Sequence, residues 1–405
     1  MSDASIWARV RPVFFWLHLA VGVTAGAVIL VMSVTGALLG FERQLATAID
    51  DAPRMTVPAG ATRLPLDTLL ARADANVSAG AIISMDRSAE VPVLVRYASR
   101  VRSDVRIDPY SGRALPQRAG GRTQAFFQRL REWHRFVGQA NGRGWGRVAT
   151  GAANLVFLGL VLSGLCLWWP DRWSRAIVRA QLVPAFRLRP KAREFNWHHV
   201  AGIWMAMPLM LVVGSGVFMS YEWPTLALDR ISGKAATASV ATSQPPGLPT
   251  PRRRPGAAVD STLGGATTAK TPRAALEPML ALAVARRPDW KSFVMLAPSP
   301  TGHTVSVTLA SGNTFRPDLR TAVELDAASG AILSVLDYGD LPLARRIRGW
   351  VRFTHTGEVA GLGGQALATL ASLAGVLLVY TGIALALRRM AAWRGTRSAG
   401  SVGAA

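Results

Sequence analysis

The sequence predicts a membrane α-helical protein: a four-helix transmembrane bundle carrying two extracytoplasmic α+β modules. Three observations point there. Half of the 405 residues are hydrophobic and the mean hydropathy is positive, which suits an integral membrane chain with sizeable water-exposed parts better than a soluble enzyme. Four apolar runs are each long enough, at about 1.5 Å per residue, to cross a hydrocarbon core of about 30 Å. The chain also repeats itself. His18, Gly22, Thr35, Gly36, Phe41 and Glu42 return as His198, Gly202, Ser215, Gly216, Tyr221 and Glu222, each 180 positions later.

The formal charge of +22 would ordinarily raise nucleic acid as a partner. Here the basic residues crowd beside apolar runs, with no basic helix interleaved with stacking aromatics, so the lipid bilayer is the expected partner and nucleic acid is not. The single cysteine, Cys166, lies inside an apolar run, which excludes an intrachain disulfide and a cysteine-based metal site. Many of the 13 tryptophans stand at the ends of apolar runs and read as interfacial anchors.

Residues 1–12 are read as a cytoplasmic amino terminus and 13–42 as the first span, with Pro12 suited to a first helical turn. Ala46-Thr47-Ala48 resembles a signal-peptidase site, but the apolar run is about twice the length of a signal core and cleavage would discard His18, so an uncleaved span is expected. Residues 53–117 read as helix, strand, strand and then a hairpin closed by Ser111-Gly112. The same order recurs over 274–340, where Ser329-Gly330 closes the second hairpin. Residues 124–147 read as an amphipathic helix followed by the glycine-rich break Asn141-Gly142-Arg143-Gly144.

The second span, 148–169, stops at Trp168-Trp169-Pro170, and 170–196 is a short, strongly basic loop. The third span is 197–222; 233–273, rich in Ala, Thr, Ser, Pro and Gly, reads as a disordered linker. The fourth span is 358–387, followed by a basic tail, 388–405. Short loops rich in Arg and Lys stay on the cytoplasmic side. Four spans then put both termini inside and both modules outside, which is the periplasm if the source is Gram-negative.

With this topology five of the six histidines gather at the helix entrances. His18 and His198 fall at matching depths near the inner face, and His134 and His355 near the outer face. His303 belongs to a module and is given no role. A neutral imidazole suits haem iron, its second nitrogen held by a carbonyl, and bundle cofactor sites use inward side chains on facing helices. Glycine four residues after histidine, at Gly22, Gly138 and Gly202, shares the histidine's helical face and leaves room for a flat macrocycle. Arg11, Arg135, Arg193 and Arg352 are close enough in sequence to meet propionates.

The bland alternative for each histidine is an interfacial hydrogen bond; a repeat that places two pairs at matched depth favours ligation. A zinc site would need a third and a fourth ligand. His199 competes with His198, and the repeat offset together with Gly202 selects His198, His199 lying about 100° round the helix. The pairs of Thr35, Ser163, Ser215 and Thr381 with a following glycine are read as close helix packing. Glu42 and Glu222 read as cap or interface residues, with a chemical duty the lesser expectation.

The hairpins Ile107-Asp108-Pro109-Tyr110-Ser111-Gly112 and Glu324-Leu325-Asp326-Ala327-Ala328-Ser329-Gly330 look like the closing strands of PepSY modules. The His-x-x-x-Gly helices, Ser163-Gly164 with Trp168-Trp169-Pro170, and His355-Thr356-Gly357 resemble the PepSY-associated membrane-helix family, which includes iron-regulated inner-membrane proteins and ferric-siderophore reductases. That resemblance implies an oxidoreductase of the bacterial inner membrane holding two b-type haems, one between His18 and His198 and one between His134 and His355. Electrons from a quinol or a protein donor would reduce ferric iron, held in a siderophore, on the periplasmic side. Two features depart from the pattern: the fourth span ends without a tryptophan pair, and the glycine-rich break follows His134. The competing class is a non-redox membrane anchor, an assembly or siderophore-uptake accessory whose modules dock on a partner.

Overall fold

The computed structural model describes residues 3–49, 55, 57, 60–72, 81–96, 105–115, 121–139, 144–170, 172–231, 275–296, 303–312 and 316–402. They fall into two compact units, one made of 1–51, 119–232 and 347–405 and the other of 52–118 and 233–346. The linker expected over 233–273, and most of the glycine-rich break, lie outside the described residues.

The first unit is helical. Four helices are long and apolar enough to cross a membrane: α1 (Asp3–Leu39), α5 (Trp145–Trp168), α7 (Pro190–Ser220) and α11 (Gly361–Val402). Apolar side chains such as Leu17, Leu155, Leu211 and Leu370 point outward, as lipid contact requires. α1 packs against α5 and α11, and α7 packs against the same two, so α1 and α7 face each other across the diagonal of the bundle. Shorter helices flank these spans: α2 (Glu42–Ile49), α4 (Gly121–Phe136), α6 (Arg175–Leu182), α8 (Trp223–Ile231) and α10 (Leu343–His355), the last belonging to this unit from Ile347 onward. Val161, Leu209, Val213 and Ala371 pack together between the helices as a buried apolar plug.

Three helix boundaries differ from those expected. α1 begins at Asp3, because residues 3–11 contain no helix breaker; Pro12 therefore lies inside the helix and removes one backbone hydrogen bond. α7 begins at Pro190, a residue suited to the first turn, so the basic stretch 170–196 is not a loop throughout. It contains α6, capped by the Ser174 hydroxyl, which accepts the Ile177 N–H at 3.2 Å. α11 runs on through the tail to Val402.

The second unit contains the repeat α3 (Leu66–Arg72), β1 (Ile82–Asp86), β2 (Val93–Arg96), β3 (Val105–Ile107), β4 (Ala114–Leu115) and α9 (Leu276–Arg286), β5 (Ser292–Leu296), β6 (Thr304–Ala310), β7 (Arg320–Asp326), β8 (Ile332–Asp337). The two copies are not separate modules. β1 pairs antiparallel with β5, Ser84 opposite Val294, and the result is one eight-stranded sheet in the order β4-β3-β2-β1-β5-β6-β7-β8. Alternate residues of both halves (Ile83, Val93, Val95, Met295, Val307, Val323) are fully buried in one core with Leu69 of α3 and Met279 of α9.

The copies also cap each other. The Asp67 carboxylate accepts the N–H groups of Leu276 and Glu277 at 3.0 and 2.9 Å, while the Glu277 carboxylate accepts the Leu66 N–H at 2.6 Å. Each helix start thus receives a negative charge from its counterpart. A four-strand half would leave β1 or β5 as an unpaired edge, which explains the fusion. Gly112 and Gly330 both turn at φ 73° in the predicted hairpins.

Candidate functional site: two histidine pairs in the bundle

Four histidines come together as two pairs. His18 on α1 faces His198 on α7, ring centres 6.4 Å apart and planes at 85°. His134 on α4 faces His355 at the end of α10, ring centres 6.2 Å apart and planes at 60°. Along α1 from His18 to Thr35, and along α7 from His198 to Ser215, the helix advances by roughly 25 Å, so the pairs lie near opposite ends of the bundle. Among the described residues no three His, Cys, Asp or Glu side chains gather into a metal-binding group.

In every pair Nδ1 is engaged. His18 Nδ1 lies 2.9 Å from Ser163 Oγ and His198 Nδ1 lies 2.8 Å from Thr381 Oγ1. His134 Nδ1 meets the Met32 carbonyl and Thr35 Oγ1, both at 3.0 Å, and His355 Nδ1 meets the Val212 carbonyl at 2.8 Å and Ser215 Oγ at 3.3 Å. These partners decide the tautomer. A carbonyl only accepts, so Nδ1 of His134 and of His355 must carry the proton. The hydroxyls of Ser163 and Thr381 donate to the carbonyls of Leu160, at 3.2 Å, and Leu377, at 2.7 Å. Their oxygens are left to accept from His18 and His198. All four imidazoles therefore keep an unprotonated Nε2, the nitrogen available to a metal.

Beyond the close helix packing that the sequence suggests for them, the four hydroxyl residues contact the imidazoles and orient them. The available signal was that all four precede a glycine. A Cβ on Gly36 would come within 3.2 Å of His134 Cε1, and one on Gly164 or Gly382 within 3.5 Å of the same atom of His18 or His198. Glycine there lets the ring lie against the helix beside its hydroxyl partner. Gly216 departs from the pattern, its neighbour being the Asn154 side chain.

At Gly22 and Gly202 an added Cβ would meet one neighbour at ordinary van der Waals distance, Leu160 Cδ2 at 3.8 Å or Leu378 Cδ2 at 3.9 Å. Gly138 has another task and is a correction. It lies beyond the end of α4 at φ 77°, its N–H reaching the Glu132 carbonyl at 3.3 Å, which is how a helix is terminated. It does not share the helical face of His134. His199 is turned aside, its ring stacked on Phe195 at 4.1 Å and its Nδ1 on the Phe195 carbonyl at 3.1 Å.

The arginines surround the pairs unevenly. Arg11 donates to the Leu167 carbonyl at 3.3 Å. Arg193 stacks over Trp197 at 5.3 Å, and its Nε and the Nε1 atoms of Trp197 and Trp168 are buried without a hydrogen-bond partner among the described residues. Arg135 is buried near Arg147, Arg352 and Arg131; burial first, and then the like charges, hold its pKa below the usual arginine value. Among the described residues no carboxylate pairs with Arg135, Arg147 or Arg352. Such a cluster favours an anion.

Sequence reasoning also missed Glu194. One turn before His198, its buried carboxylate takes both Nε and a terminal nitrogen of Arg388, at 2.8 and 2.9 Å, tying α7 to α11. The signal, an acid opposite a basic helix end, cannot be recognised before the two helices are placed side by side.

Fold and site together define a polytopic helical membrane protein with opposed imidazoles at two levels. The chain belongs to the family described as the PepSY-associated TM region, whose model matches residues 15–389. No curated protein matches it.

Proposed function

We propose that the chain is a di-haem b-type membrane cytochrome that passes electrons across the bacterial inner membrane to reduce ferric iron, presented as a siderophore complex, on the periplasmic side. The observation that carries the haem assignment is the spacing of the rings. Two imidazoles ligating one iron from opposite sides, each by a bond of about 2 Å, hold their ring centres roughly 6 to 6.5 Å apart. Both pairs have that separation, and the hydrogen bonds at Nδ1 leave the Nε2 of each ring available.

Haem held this way supplies one-electron transfer. The protein's own groups do the rest. Ser163, Thr381, Met32, Thr35, Val212 and Ser215 hold the Nδ1 protons and so fix ring orientation and ligand basicity. The missing side chains at Gly22 and Gly202, each with a single leucine methyl at van der Waals distance, give a flat surface that suits a planar group. The Arg135, Arg147 and Arg352 cluster suits one pair of propionates, and Arg193 with Trp197 suits the other. The apolar plug of Val161, Leu209, Val213 and Ala371 would disfavour water and protons between the two pairs.

The charge bias of the 170–196 segment supports an inner, cytoplasmic location for the His18 pair. Reducing ferric iron weakens its hold by hard oxygen ligands, which prefer the higher charge; the substrate stays outside while only the electron crosses. The donor is a membrane quinol or a separate protein.

The test is the spectrum of the purified protein from cells supplied with porphyrin precursor. The expected result is two haems per chain, a Soret band that sharpens on dithionite, and two low-spin EPR signals. The His18 pair, near perpendicular, should give the more anisotropic signal, because crossed imidazole planes leave two iron orbitals nearly degenerate. A colourless preparation would favour the non-redox anchor. Ferrous-chelator trapping from a defined ferric siderophore then tests the substrate.

Thr381→Val keeps the shape and removes the acceptor for His198 Nδ1–H. Loss of such a partner weakens metal–ligand affinity roughly 10–100-fold and lowers imidazole basicity. The potential of the inner haem should therefore rise in a redox titration, with the outer haem unmoved. An unchanged inner potential would count against the tautomer argument.

A further inference from the structure

We infer that the adjacent residues Glu42 and Arg43, at the start of α2, form a two-armed clamp that sets the spacing and orientation of His134 and His355. The inference rests on the haem reading and adds positioning residues to it.

The two histidine pairs are built differently. His18 and His198 stand within long continuous helices, whose backbone alone fixes where each ring starts. His134 and His355 lie at the ends of short helices, and the chain changes direction just after each: Val137 and Gly138 have φ of 50° and 77°, and Gly357 and Gly361 have φ of 74° and 62°. A ring at such a place is only as well positioned as the contacts that hold its segment.

Glu42 and Arg43 reach both segments. The Glu42 carboxylate pairs with Arg131, one turn before His134 on α4, and the Arg43 guanidinium pairs with Glu358, just after His355. Glu358 also accepts the Thr356 hydroxyl at 3.0 Å, which stiffens the turn that follows the ligand. The next residue, Gln44, donates to the Gln365 side chain at 2.6 Å and ties α2 to α11. Two neighbouring residues of opposite charge thus each hold one ligand-bearing segment. Because α1 ends at Leu39 and the chain turns at Gly40-Phe41, α2 is free of the helix register that α1 would impose.

Such exposed ion pairs contribute little to global stability, so their loss should act on geometry more than on folding. The test compares Glu42→Gln, Arg43→Gln and the double variant with the parent protein, using EPR and potentiometric titration of the membrane-extracted protein. The expected result is a shift of the outer haem's EPR signal and potential, with a fraction of that haem becoming reactive to carbon monoxide as a ligand detaches. The inner haem should be unchanged and serves as the folding control. Exchanging the charges, Glu42→Arg with Arg131→Glu, should restore the outer signal at least in part. If Glu42→Gln does not accumulate, Arg43→Gln with its own spectra decides the matter.

An outer signal and potential identical to the parent's in all three variants overturns the clamp while leaving the haem reading intact. Equal disturbance of both haems overturns it too, since the effect is then not local. A parent protein without bis-imidazole haem overturns both readings together.

Discussion

His198→Ala is expected to remove about half the haem, the share proposed for the His18–His198 pair, because that group would be left with His18 as its single protein ligand. His18 and His198 face each other at their level of the bundle, and their hydrogen-bond partners Ser163 and Thr381 are not those of His134 or His355. The outer haem should persist with its own EPR signal. Transmembrane electron transfer should fall to background, since one tier is missing from a path roughly 25 Å long. His199 offers no rescue: its ring is stacked on Phe195 and turned from His18. Haem-to-protein ratio and the pyridine haemochrome spectrum measure the outcome. Loss of both haems, or retention of both, would contradict the pairing.

Gly202→Leu is expected to have nearly the same effect on haem content by a different route. The position lies one turn after His198, and an added Cβ there would already touch Leu378 Cδ2 at 3.9 Å. Leucine extends well past that Cβ into the space proposed for the macrocycle. It is also a better helix former than glycine, so insertion and helicity should be preserved. The protein should therefore reach the membrane in normal amount with about half its haem. Normal haem content in this variant would refute the cradle. Parent-like haem with poor accumulation would show that the glycine serves helix packing instead.

The four long apolar helices, the 180-residue repeat and the grouping of His18 with His198 and of His134 with His355 are legible in the chain, because each is a matter of period and distance along a single helix. The hairpins were legible for a similar reason, since Ser111-Gly112 and Ser329-Gly330 carry their turn geometry with them. What escaped involves contacts between segments far apart in sequence. Thr381 lies 183 positions from His198, and nothing local distinguishes a packing hydroxyl from one that holds an imidazole proton. The role expected for Gly138 failed because the i to i+4 rule assumes the helix continues, and α4 ends first.

Alone, the sequence determined a membrane bundle with imidazoles at two depths, since hydrophobic length and helical period act locally and survive without tertiary context. Only the tertiary structure decided that the extramembrane repeats share one sheet, through β1 and β5. It alone decided which oxygen holds each Nδ1 and that Glu42 and Arg43 pair with Arg131 and Glu358, beside His134 and His355. The physical reason is the same throughout: strand pairing, hydrogen bonds and ion pairs between distant segments act over a few ångströms, and the order of residues along one chain does not encode those separations.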